Sequence, residues 1–95
     1  MSDVIAAAVE KLAEKLEGGF DGVARFDIEG EGSIIVDSDG VRAADEEADV
    51  TLSADTDTFR EILDGELDPT SAFMGGRLRI DGDMGMAMKL GTSLS

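Results

Sequence analysis

Hydrophobic and polar positions along this chain follow two distinct periods. Over residues 3–17, Ile5, Ala8, Val9, Leu12 and Leu16 recur at three- and four-residue steps, with Glu10, Lys11, Glu14 and Lys15 on the other side. That spacing predicts an amphipathic helix, with Ser2 or Asp3 placed to cap it and Gly18-Gly19 to stop it. After Asp21-Gly22 the period drops to two. Ala24, Phe26 and Ile28 alternate with Arg25, Asp27 and Glu29, as in a strand with one wet face. Gly30-Glu31-Gly32 turns the chain into a β-branched run at Ile34, Ile35 and Val36. Asp37-Ser38-Asp39-Gly40 predicts a hairpin with a primed turn, because Asp and Gly tolerate positive φ, and residues 41–44 begin the return strand. Beyond an acidic cluster of Asp45, Glu46, Glu47 and Asp49, Val50 and Leu52 alternate with Thr51 and Ser53 in a fourth strand.

The period then returns to that of a helix. Asp55 or Thr56 caps a segment whose Phe59, Ile62 and Leu63 share a face, and Gly65 ends it. Asp68-Pro69 starts another, with Phe73 and Met74 as its apolar content and Gly75-Gly76 as its stop. Leu78 and Ile80 alternate with Arg77, Arg79 and Asp81 in a fifth strand. Met84, Met86, Ala87, Met88 and Leu90 then spread over most of a helix's circumference, with Lys89 the one charge before Leu94. A helix apolar nearly all round is buried or lines a cavity. No repeat and no proline- or serine-rich linker divides the chain, so it reads as a single α+β domain over residues 1–95.

Composition narrows the function. A globule of this size buries about 64% of its extended surface, enough for one core. Acidic residues number 22 against 8 basic, a formal charge of −14. Phosphate backbones are repelled by such a surface, which excludes nucleic acid as a partner, and anionic lipid is disfavoured too. The apolar runs fall far short of a membrane span, so no stable membrane insertion is expected. Met1-Ser2-Asp3 lacks the basic stretch of a secretory leader, and a cytoplasmic location is the expectation. The chain has neither cysteine nor histidine, which removes thiolate and imidazole nucleophile systems and the usual transition-metal sites. No catalytic residue, metal ligand or cofactor is expected, and the protein is read as not an enzyme. The acidic cluster reads as a solvated charge run, and the glycine pairs are too short to cradle phosphate. Four of the five methionines, Met74, Met84, Met86 and Met88, lie in the last quarter. Flexible thioethers fill irregular cores and also line surfaces that adapt to varied apolar partners.

One ordered series goes further. It begins with Ala48-Asp49-Val50-Thr51-Leu52-Ser53 and Phe59-Arg60-Glu61-Ile62-Leu63-Asp64-Gly65, followed by Leu67-Asp68-Pro69. It continues with Ala72-Phe73-Met74-Gly75-Gly76-Arg77-Leu78-Arg79-Ile80-Asp81-Gly82-Asp83 and ends with Ala87-Met88-Lys89-Leu90. This stretch resembles the sterol carrier protein type 2 family, and the N-terminal half agrees in element order. The resemblance implies a five-stranded antiparallel sheet covered on one face by helices, with an apolar tunnel closed in part by the C-terminal segment. It implies non-catalytic binding and transfer of a fatty acid, acyl-CoA or sterol-like lipid, with handover through movement of the last helix. Carried over by position, the tunnel wall is Phe59, Ile62, Leu63, Phe73, Met74, Leu78, Ile80, Met84, Ala87, Met88 and Leu90. Two departures stand out: the chain stops soon after Leu90, and it is unusually acidic. The acidity favours an uncharged lipid, or a fatty acid held by Arg77, Arg79 or Lys89, over polyanionic acyl-CoA. The alternative reading is an accessory protein-interaction module of the same fold with a filled tunnel, steering basic partners. A carboxylate enzyme acting on a bound lipid is the third.

Overall fold

The computed structural model describes residues 3–17 and 19–94. Along these the elements run α1 (Asp3–Lys15), β1 (Ala24–Ile28), β2 (Gly32–Asp37), β3 (Gly40–Ala43), β4 (Val50–Ala54), α2 (Thr56–Leu63), α3 (Pro69–Met74), β5 (Arg79–Gly82) and α4 (Met84–Leu94). The elements expected from periodicity form, in the expected order. The Ser2 alternative for the first cap and the Gly18 half of the first stop lie outside the described residues.

The strands pair in the order β3-β2-β1-β4-β5. Phe26 stands between Ile34 and Leu52, and Ala24 between Val36 and Val50, so one face of the three central strands is continuous apolar surface. The sheet is antiparallel except for β1 and β4, which run parallel. The connection explains the exception. A parallel neighbour needs a crossover rather than a hairpin, and residues 44–49 supply it, carrying the chain from β3 past β2 and β1 to the far side of β1.

The acidic cluster latches that crossover. The Arg25 guanidinium donates to Asp27 Oδ1 at 2.9 Å, to Asp45 Oδ1 and to the Glu46 carbonyl. Arg42 donates to Asp37 Oδ2 at 2.9 Å and to both Glu46 carboxylate oxygens. The bond from Arg42 holds the Asp37 carboxyl below the usual aspartate value. Ile35, whose neighbours in register are these two arginines, is fully buried on that face. Asp45 and Glu46 thus fasten the crossover while remaining, with Glu47 and Asp49, exposed to solvent as expected of the charge run. At the β2–β3 hairpin the turn forms as expected but is not primed. Among the described residues no non-glycine has positive φ, and Gly40, at φ +126°, makes the excursion.

The helices cover the apolar face. Ile5, Ala8 and Leu12 of α1 pack into the core. Asp55 caps α2, accepting the Thr58 N–H at 2.8 Å, and Phe59 meets Phe26 edge-on with ring centroids 5.6 Å apart. Asp68 caps α3 by accepting the Ser71 N–H at 3.1 Å, with Pro69 in the first turn. Gly82 sets the entry to α4. Its φ is +104°, and a Cβ there would collide with the Asp49 carbonyl oxygen. Asp83 then accepts the N–H groups of Met86 and Ala87, through Oδ1 and its backbone carbonyl respectively, fixing the first turn of α4.

Candidate functional site

The buried stripe of α4 is Ala87, Leu90 and Leu94, spaced by three and four. That choice of inner face turns Met84, Met88 and Gly91, again four and three apart, to the flank beside α3. There Pro69, Thr70, Phe73 and Met74 form the opposite wall, with Leu52, Leu78 and Ile80 between them. The result is a groove of about 240 Å³, slightly below the usual size of a drug-like ligand site. None of the lining residues is charged, and Thr70 carries the one side-chain hydroxyl. Phe73 is 39% exposed, Met74 81%, Met84 44% and Met88 66%. These are the exposed large apolar side chains among the described residues, and all four line this groove.

The structure divides the eleven expected wall residues three ways. Phe73, Met74, Leu78, Ile80, Met84, Ala87 and Met88 come together in the α3–α4 groove. Phe59 and Leu63 line a second groove of about 210 Å³ between α1 and α2. Ile62 and Leu90, 2% and 0% exposed, are packed in the core and present no surface to either groove. The reason is helical phase: Phe59 and Leu63 lie one turn apart on a side of α2 next to α1, while Leu90 belongs to the sheet-facing stripe of α4. Sequence reasoning missed Leu52, Pro69, Thr70 and Gly91. The spacing Met84, Met88, Gly91 was a usable signal, because a glycine on a methionine flank leaves open the volume its side chain would fill.

The three cations considered for a lipid carboxylate stand elsewhere. Arg77 Nη2 pairs with Glu61 Oε2. Arg79 stands opposite Ser53 on the outer sheet face, since its neighbour Ile80 pairs with the inward Leu52. Lys89 leans toward Asp21 at 3.8 Å, with both side chains mostly exposed. No carboxylate lines the α3–α4 groove either. Among the described residues no cluster of acidic side chains is arranged to hold a metal ion, and no helix is long and apolar enough to cross a membrane.

The family model of the SCP-2 sterol transfer family matches residues 3–95. The chain belongs to that family. Hydroxysteroid dehydrogenase-like protein 2 of Bos taurus is 37% identical over 91 residues, covering 95% of this chain and 21% of the relative. The human protein of the same name is 35% identical over 88 residues, covering 93% and 20%. This SCP-2 domain thus spans about a fifth of the length of the curated relatives it matches. Among solved structures, sterol carrier protein 2 of Aedes aegypti in complex with palmitate superposes with a TM-score of 0.79 at 21% identity, covering 100% of this chain and 97% of that one. Sterol carrier protein 2 like 2 of the same organism gives 0.77 at 20% identity, covering 94% of each chain. At these identities the superpositions establish the shared fold.

Proposed function

We propose that the groove between α3 and α4 receives the apolar chain of a lipid, and that this domain binds and passes on that lipid without covalent chemistry. The observation that carries the reading is the coincidence, among the described residues, of all four exposed large apolar side chains on one uncharged groove, in a molecule of charge −14. A contiguous apolar patch on an otherwise charged small protein marks a place where something apolar sits. Burial of an acyl chain contributes about 0.8 kcal/mol per methylene, so affinity needs few polar contacts. The absence of a cation in the groove fits a chain-reading site that leaves the head group near solvent. A fatty acid or a sterol-like molecule suits it better than acyl-CoA, whose phosphates the acidic surface repels.

Membership of the SCP-2 family supports this reading, as does the palmitate complex of the Aedes aegypti relative. In a longer protein of the dehydrogenase-like kind, the domain would serve as the lipid-holding part beside a separate catalytic unit. Its proposed setting is the cytoplasm.

Native mass spectrometry of the purified protein, followed by organic extraction, tests the proposal. A lipid adduct is the expected result, with loss of fluorescent fatty-acid binding on Met88→Trp, which fills the groove from its exposed flank. A bare protein that also refuses the probe would instead support the protein-interaction module with a filled apolar site.

A further inference from the structure

The second groove, between α1 and α2, differs from the first in one respect that decides its chemistry. Its floor is Ile28 of β1, and its walls include Ala8 of α1 and Phe59 and Leu63 of α2. Two cations line it, Lys11 from one helix and Arg60 from the other. The remaining six basic residues are placed elsewhere. Arg25 and Arg42 fasten the crossover, Arg77 pairs with Glu61, and Lys15 Nζ donates to the Leu94 carbonyl. Lys89 leans on Asp21, and Arg79 stands on the outer sheet face. Lys11 also reaches Asp64, but at 3.7 Å and with side chains 52% and 41% exposed, a pairing worth little. With Asp64 the one carboxylate beside these two cations, the slot has a net positive lining on a molecule of net charge −14.

We propose that this groove is a second binding site, selective for a fatty acid over an uncharged lipid. The tail would lie on Ile28, Phe59 and Leu63, and the carboxylate would be held between Lys11 and Arg60 in competition with Asp64. Its volume, about 210 Å³ against about 240 Å³ for the α3–α4 groove, holds part of an alkyl chain, so a short fatty acid serves as the probe. The site stands on its own, independent of whether the α3–α4 groove carries lipid.

The test is a ¹⁵N–¹H spectrum of the whole chain titrated with octanoate and, separately, with octanol. Octanoate should shift amides of α1 and α2 around Lys11 and Arg60, and octanol should bind there at least about fivefold more weakly. The double variant Lys11→Gln/Arg60→Gln, changed at exposed positions only, should weaken octanoate there about tenfold. It should leave any α3–α4 response unaltered. Asp64→Asn, which frees Lys11, should tighten octanoate about twofold. Equal binding of octanol, no effect of the double variant, or shifts confined to α3 and α4 would overturn the site. The last result would leave the lipid-groove reading intact, while an α1–α2 response with α3–α4 silent would count against that reading and not this one.

Discussion

Met88 and Leu90 stand two residues apart on α4 and have opposite roles. Leu90 is fully buried, so Leu90→Ala removes core contacts and leaves a cavity, costing about 2–5 kcal/mol in denaturant unfolding. Met88 is 66% exposed, so Met88→Ala should change stability by about 0.5 kcal/mol or less while weakening fatty-acid binding. A reversal of those two stability effects would mean that α4 presents a different face to the sheet. Acid sensitivity also belongs to single residues. Arg42 lowers the Asp37 carboxyl pKa, and the Thr58 backbone N–H that Asp55 accepts at the α2 cap lowers that of Asp55. Each group has a lower pKa folded than unfolded, so its stabilisation is present above the unfolded value and lost as pH falls through the folded one. Measured in about 0.5 M salt to screen the net charge, unfolding midpoints should fall below about pH 4. Asp37→Asn should make that decline shallower, and an unchanged slope would contradict the role given to Arg42.

At the scale of elements, Gly91 separates stability from binding. It lies inside α4, and a Cβ there would meet Pro69 Cβ at 3.7 Å, an ordinary contact. Gly91→Ala should therefore stabilise the domain by about 0.5–1 kcal/mol, read as a raised urea midpoint with unchanged slope. Gly91→Phe should fill the groove and abolish chain binding. The elements themselves were legible in the sequence because each carries a clean period and a capping or turn residue: Asp55 and Asp68 at helix starts, Gly40 at a hairpin. What the pattern left open was phase and direction. Local periodicity carries no information on the strand to which β4 is added, so the parallel β1–β4 pair came from the crossover and its arginine latch. An all-round apolar α4 likewise offers no unique inner face. The sheet chose Ala87, Leu90 and Leu94, which sent Met84 and Met88 to the groove and Leu90 to the core. Phe59 and Leu63, part of the same expected wall, went to a different groove because α2 leans on α1.

For the whole molecule, charge is the dominant feature. With −14 on 95 residues, self-repulsion opposes compactness, and it is screened over about 10 Å at 0.1 M salt. The thermal midpoint at pH 7 should rise as sodium chloride is added. A fall would mean that the surface ion pairs of Arg25 and Arg42 contribute more than the repulsion they sit in. On the proposed reading the same field would sort ligands, leaving apolar chains free to enter the uncharged α3–α4 groove. That groove is the centre of the account, and its methionines allow it to be read directly. With ¹³C-methyl methionine and palmitate added, the methyl resonances of Met74, Met84 and Met88 should move together and saturably, and Met88→Trp should silence the response at the other two. Saturable palmitate binding that leaves these three methyls unmoved would contradict it.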